Sequence, residues 1–209
     1  MAGLLTFTLL AFSALFVVVD PIAVVPLFIS LTPNDSADRR REMATRACLV
    51  AWGILVAFAI GGSVFFRLLG ITIGAFKVAG GLLLLLTAID QLRAQPARTR
   101  TTIEEQHEGI KKEDISVVPL GMPLLAGPGA IATTMVLIGR AQNLMERLIV
   151  FGAVTFAVGS SFLALLSAER IVRRLGTTGR LILERLSGLV LASIAVQFVL
   201  NGAAEVWRQ

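Results

Sequence analysis

Long apolar blocks alternate with short polar gaps along this chain, and a helix that crosses a bilayer needs about 20 apolar residues. Six blocks meet that requirement: about Leu4 to Leu31, Ala47 to Phe66, Ile71 to Leu92, Ile115 to Gly139, Leu148 to Ala168 and Leu186 to Ala204. The pattern predicts an all-α membrane protein with six transmembrane helices. A polar loop with helix-start residues, Thr32 to Glu42, follows the first block, and Arg67-Leu68-Leu69-Gly70 makes a tight turn after the second. Residues 93–114 form the longest hydrophilic segment, with Pro96, Gly109 and mixed charges. They read as a flexible cytoplasmic loop that divides a first three-span unit, 1–92, from a second, 115–209.

Two of the blocks cannot be ordinary helices. The fourth contains Pro123-Leu124-Leu125-Ala126-Gly127-Pro128-Gly129. Pro128 has no N–H to donate and, deeper in a helix, would collide with the carbonyl four residues back; Gly127 and Gly129 offer φ angles a helix does not use. Irregular backbone at membrane depth is tolerated only where protein or a water-filled cavity satisfies it. The break therefore points to a substrate site, the alternative being a proline kink that only shapes packing. In the first block, Asp20-Pro21 makes a well-formed helix start, and Pro26 bends or ends the segment again.

The two halves resemble each other weakly, and the breaks fall at matching positions. At a spacing of 107 residues Asp20-Pro21 falls on Gly127-Pro128 and Gly81-Leu82 falls on Gly188-Leu189. The Leu69-Gly70 turn aligns with Leu175-Gly176 after a slip of one residue. Three spans per half is an odd number, so the second half must insert upside down. The expected architecture is two inverted three-helix repeats with the first and fourth spans broken at Pro/Gly, an arrangement common among secondary transporters, whose binding sites lie at such paired interruptions.

Composition strengthens the membrane assignment: 56% of residues are hydrophobic and 16% charged, where a soluble domain carries about a quarter charged. The net charge of +5 does not indicate nucleic acid, because the basic residues gather in the gaps and no basic face is interleaved with aromatics. Arg39, Arg40, Arg41 and Arg46 follow the first span; Arg93, Arg98, Arg100, Lys111 and Lys112 the third; Arg170, Arg173, Arg174 and Arg180 the fifth. Only Arg67, Arg140, Arg147 and Arg208 face the other way. The positive-inside rule then puts the basic loops in the cytoplasm and both termini outside. Met1-Ala2-Gly3-Leu4-Leu5 has no basic n-region and reads as the start of a span, not a cleaved signal. A lone Cys48 excludes an intrachain disulfide or cysteine-based zinc site, and with a single His107 leaves no metal-ligand cluster. No cofactor is expected.

Asp20 lies about eleven residues from the cytoplasmic end of its span, roughly 16 Å and so near the midplane. An ionised carboxylate there costs several kcal/mol unless paired or hydrated, which makes it a candidate for ion coupling or proton relay. It also suits the cap of a helix restarting at Pro21, and the two roles are compatible. In the fourth span Pro128 opens a half-helix whose free N–H groups and dipole favour an anion such as a substrate carboxylate. The candidate substrate set is Asp20, Pro21, Pro26, Pro123, Gly127, Pro128, Gly129, Gln197 and Asn201, with Asp20 and Asp90 as ion-coupling candidates. Thr87, Asp90 and Gln91 sit at the inner end of the third span, and Gln197 and Asn201 share one face of the sixth; such residues serve either as interhelical glue or as substrate contacts. Lys77 and Glu184, at matching ends of the third and sixth spans, are expected to snorkel to the interface. Gly61-Gly62-Ser63 and Gly159-Ser160-Ser161 read as close-packing surfaces.

Enzyme motifs are missing. Ser187-Gly188 is preceded by Arg185-Leu186, not by the Gly-x of an intramembrane serine protease, and neither Asp20 nor Asp90 follows Gly-x-Gly. No phosphate-binding loop occurs. The run Glu113-Asp114-Ile115-Ser116-Val117-Val118-Pro119-Leu120, continuing through Pro123 to Ile131, closely resembles the MarC family, also called UPF0056. Asp20-Pro21-Ile22 with Pro26-Leu27-Phe28 resembles its first-span motif, and Gly188 to Ala192 with Ala195 to Phe198 its last-span signature. The resemblance covers nearly the whole chain. It implies a six-span inner-membrane protein grouped with transporters of small neutral amino acids such as glycine and alanine. The expected function is secondary transport of such a solute, coupled to H⁺ or Na⁺; the alternatives are a metabolite or drug exporter, or a membrane scaffold without flux. Membrane lipid is the expected surroundings and the oligomeric state is open.

Overall fold

The computed structural model describes residues 2–32, 35–68, 70–93 and 125–207. Pro123, His107, nearly all of the central hydrophilic segment and the first part of the fourth block lie outside the described residues. The rest is helical: α1 (Ala2–Val19), α2 (Val24–Leu31), α3 (Ala37–Leu68), α4 (Ile73–Leu92), α5 (Pro128–Arg140), α6 (Leu144–Leu166) and α7 (Ala168–Trp207). Among the described residues there is no strand.

Local chemistry sets where these helices start. Ser36 Oγ accepts from Arg39 N at 3.3 Å ahead of α3, and Thr72 Oγ1 accepts from Ala75 N at 3.1 Å ahead of α4. Asn143 Oδ1 accepts from Glu146 N at 2.9 Å while the Glu146 carboxylate accepts from Gln142 N at 2.7 Å, a reciprocal cap that opens α6. Pro128 stands at the start of α5, where its missing N–H costs nothing.

Four stretches are long and apolar enough to cross a membrane: Ala37–Gly62, Gly74–Leu92, Leu144–Leu166 and Arg185–Trp207. Two apolar helices are shorter, Gly3–Val19 and Gly129–Arg140, and these belong to the blocks that carry the Pro/Gly interruptions. Polar gaps are smaller than the hydropathy pattern suggests. The expected loop Thr32–Glu42 is helical from Ala37, held by the Ser36 cap and by Arg39–Asp35 and Arg46–Glu42 pairs at 3.3 and 2.5 Å, one helical turn apart. The basic stretch after the fifth block is helical too, interrupted at Gly176 (φ 60°, ψ −175°). Gly70 has φ 67°, so both glycines of the aligned turns adopt a left-handed φ.

Packing interlaces the two halves of the chain. α1 rests mainly on α5, α6 and α7; α2 on α6 and α7; α5 on α1, α3 and α4. Phe12 and Phe16 of α1 lie 5.3 and 6.0 Å from the Phe156 ring of α6. The most extensive contact joins α4 to α7 in antiparallel fashion, through glycines that let the backbones meet. A Cβ at Gly81 would fall 2.8 Å from Ala195 O and 3.0 Å from Val199 N; one at Gly188 would fall 3.1 Å from Ala88 O and 3.0 Å from Leu92 N. Gly74 and Gly202 make a similar close approach further along, 2.6 Å from a Gly202 Cβ to Gly74 O. Small residues at such crossings are how apolar helices associate when lipid competes for every apolar face. Gly62 packs against Met135 and Ser161 is buried, as a close-packing surface requires, whereas Gly61 and Gly159 are exposed.

Lys77 does not snorkel. Its side chain is 3% exposed and pairs with Glu205 of α7, because the close approach at Gly202 closes over its stem. Glu184 has no described side chain. At the other end of the bundle Arg40 donates from Nε and Nη2 to Thr32 O at 3.0 and 2.6 Å and pairs through Nη1 with Glu169 at 2.5 Å. One guanidinium thus satisfies the end of α2 and fastens it to the start of α7. Elsewhere the outer surface is apolar: Leu9, Ile60, Leu163 and Leu189 are each more than half exposed. An exterior of this kind suits lipid, not water.

Candidate functional site

The chain stops being helical at Asp20. Its N–H still bonds Phe16 O at 3.0 Å, closing the last turn of α1, but its own φ is +52°. Among the described residues it is the one non-glycine with a positive φ. That conformation costs roughly 1–2 kcal/mol for an L-residue and is tolerated best by Asp and Asn, whose short side chains bond locally. Here Oδ1 accepts from Ala23 N at 3.3 Å, holding the turn over Pro21, Ile22 and Ala23 that leads into α2. The helix restarts at Val24, so Asp20 supports the turn before α2 instead of capping a helix opened by Pro21. Pro21, which cannot donate, is buried inside that turn, where no donor is called for.

The second carboxylate oxygen reaches across the bundle. Asp20 Oδ2 accepts from Gln91 Nε2 at 2.6 Å. Both groups are enclosed, Asp20 at 5% and Gln91 at 6% exposure. Gln91 lies on the face of α4 that also carries Leu84, Thr87 and Ala88, all buried. Its Oε1 has no hydrogen-bond partner among the described residues. A buried acceptor left without a donor costs about 1–3 kcal/mol. The sequence places Gln91 beside Thr87 and Asp90 at the inner end of the third span, and the structure brings it to Asp20 at the break. Asp90 is half-buried on the neighbouring face.

The start of α5 meets the same face of α4 two helical turns away. Gly127 is the N-cap in extended conformation (φ −69°, ψ 166°), and Ile131 N makes the first intrahelical bond, to Gly127 O at 3.1 Å. Gly129 and Ala130 therefore present N–H groups with no acceptor inside the helix. A Cβ on Gly129 would overlap the Leu84 side chain and lie 3.4 Å from Val18 Cγ1, two residues before Asp20, so a larger residue would have to push Leu84 aside. Thr133 and Thr134, fully buried, turn their hydroxyls back to Gly129 O and Ala130 O at 2.8 Å each. Consecutive threonines inside an apolar block are their signature in the sequence.

The two interruptions thus converge on one stretch of α4, Leu84 to Gln91. The Asp20 side offers acceptors and negative charge, and the α5 side offers N–H donors and the positive end of a helix dipole. Not every candidate joins them. Gln197 is exposed on α7 and donates from Nε2 to Asn201 Oδ1 at 2.9 Å, so this pair satisfies itself along its own helix. Pro26 lies within α2, two residues past its start, with no described side chain.

An all-helical bundle with an apolar exterior, several membrane-length helices and a buried carboxylate at a helix break is an integral membrane protein built from interrupted helices. The chain belongs to the MarC family: the model of the MarC family integral membrane proteins matches residues 5–207. A UPF0056 membrane protein of Methanocaldococcus jannaschii is 40% identical, the match covering 95% of this chain and 96% of that one. A UPF0056 membrane protein of Aquifex aeolicus is 36% identical over 95% and 92%. The UPF0056 membrane protein YvbG of Bacillus subtilis is 34% identical over 93% and 92%. No solved structure matches the chain.

Proposed function

We propose that the protein is a secondary transporter of small neutral amino acids, or metabolites of similar size, across the cytoplasmic membrane, coupled to H⁺ or Na⁺ and without enzymatic activity. The observation that carries this reading is Asp20, a carboxylate enclosed at a helix break, held in a left-handed conformation and bonded to Gln91 across the bundle. Intramembrane acids are expensive and mark solute or ion pathways. The opposed donor end of α5 suits the carboxylate of a zwitterion whose amine lies at Asp20.

The transporter architecture of two inverted three-helix repeats belongs to the same reading. It is supported by the contacts of α4 with α7. Adding 107 to Gly81 gives Gly188, and subtracting 107 from Ala195 and Val199 gives Ala88 and Leu92. Those are the atoms that crowd Gly81 and Gly188 respectively, a carbonyl oxygen and then a backbone nitrogen in each case. α3 and α6 also start 107 residues apart, at Ala37 and Leu144. Contacts that exchange under one fixed offset between antiparallel helices are what a two-fold axis in the membrane plane produces. The arginine distribution supports cytoplasmic basic loops with both termini outside.

Uptake and counterflow of labelled glycine and alanine by the purified protein in proteoliposomes, with and without H⁺ or Na⁺ gradients, test the reading. Accumulation that follows one gradient is expected. Liposomes that stay at the level of protein-free controls under every gradient would sink it and leave a scaffold role.

A further inference from the structure

The transport reading sets the ligand's amine at Asp20, and one unused group there narrows which amines fit. Gln91 Nε2 is committed to Asp20 Oδ2. With Asp20 as a carboxylate, the opposite amide orientation would set oxygen against oxygen, so the hydrogen-bond network assigns the amide with Nε2 toward Asp20. Oε1, on the same carbon as Nε2, lies at the break as an enclosed acceptor without a donor among the described residues. Asp20 Oδ1 receives a single long bond, from Ala23 at 3.3 Å, and keeps acceptor capacity. The C-terminal end of α1 adds partial negative charge at the same place. Acceptors dominate here: besides Gln91 Oε1 and the Asp20 carboxylate, the amide contributes one N–H beyond the one spent on Asp20.

We propose that Gln91 Oε1 and the Asp20 carboxylate form a primary-ammonium subsite, with Gln91 the residue that selects ligands by their N–H donors. This rests on the reading of the two breaks as a substrate site and deepens it: Asp20 answers the ligand's charge, and Gln91 counts its hydrogens. A site built to hydrogen-bond a group discriminates against analogues that lack it, because its own buried polar atom is then left unpaired. Glycine, sarcosine, N,N-dimethylglycine and betaine keep the carboxylate and the positive charge while the N–H donors fall from three to none, as counted from their structures. A site that senses only charge, or a bare cation, treats all four alike.

The test is competition by these four compounds against labelled alanine in proteoliposomes at fixed pH and sodium, with the wild type and Gln91→Met. In the wild type, competition weakens along the series, with glycine at least about tenfold more effective than betaine. Gln91→Met preserves size without the acceptor and brings that ratio to within about threefold. Should Gln91→Met not fold, Gln91→Asn, which draws the oxygen back by one methylene, carries the same expectation. Discrimination that persists unchanged in the acceptor-free or retracted variant assigns it to bulk and overturns the subsite alone, as does a wild type that treats all four alike. A wild type that takes up neither labelled alanine nor glycine overturns the transport reading, and the subsite with it.

Discussion

At the scale of the residue, Asp20 combines three requirements that few side chains meet together: a left-handed backbone, an acceptor for the Ala23 N–H and a partner for Gln91. Asn meets the first two, so Asp20→Asn removes the charge with little change to the fold. Alanine counterflow is expected to fall at least about tenfold, by loss of one charged hydrogen-bonding partner, while the melting temperature in detergent stays near wild type. Unchanged counterflow would remove Asp20 from the ligand and ion path. Asp20→Ala loses all three features and is expected to cost about 2 kcal/mol or more of stability, read as a clear drop in melting temperature. Asp20 was legible in the sequence because a single acid in a long apolar block needs no other information to stand out. Gln91 was not, since what raises it above other polar residues near span ends is burial and a bond to a residue 71 positions away. Local pattern does not encode either.

At the scale of the element, four of the six apolar blocks give helices long enough to cross a membrane, the first and fourth carry shorter ones, and the helix ends depart from the pattern. Apolar length is visible in any window, but the helical turns of Ala37 to Arg46 and of Ala168 onwards are polar, and their caps and charge pairs become decisive only once the chain has folded. The α4–α7 crossing gives a sharper test of the glycines. Gly81→Ala and Gly188→Ala are both expected to destabilise, since each new Cβ meets backbone, while Gly61→Ala and Gly159→Ala, in open positions on helices, are expected to be neutral or to stabilise by about 0.5–1 kcal/mol. Thermal unfolding of the four variants separates the pairs; a uniform response would remove the close-packing account. Gly176 combines φ 60° with ψ −175°, a region essentially restricted to glycine. Gly176→Ala is expected to cost about 1–3 kcal/mol although nothing lies within 4 Å of where its Cβ would be. Lys77 tests the same crossing from the side of charge. Glu205→Gln, which leaves an enclosed ammonium without its carboxylate, is expected to lower the melting temperature more than Lys77→Met combined with Glu205→Gln does.

At the scale of the whole molecule, the spacing of 107 residues was readable from a few dipeptides, but the way the halves grip each other was not. Matching motifs say nothing about which segment touches which. That α1 and α2 lie against the second half, while α5 lies against the first, follows from three-dimensional packing alone. Orientation remains the simplest global test: reporter fusions at Gln209 are expected to report the outside and fusions at Ser36 the cytoplasm, and a cytoplasmic Gln209 would reverse the arrangement. The interlacing also has a consequence in time. A ribosome delivers α1 long before α5, α6 and α7, so the newborn first half waits in the bilayer with its broken segment still uncovered. A chain ended after Asp114 should therefore be short-lived in the cell. Supplying residues 115–209 as a second polypeptide should rescue it, because the helices of each half pack against those of the other.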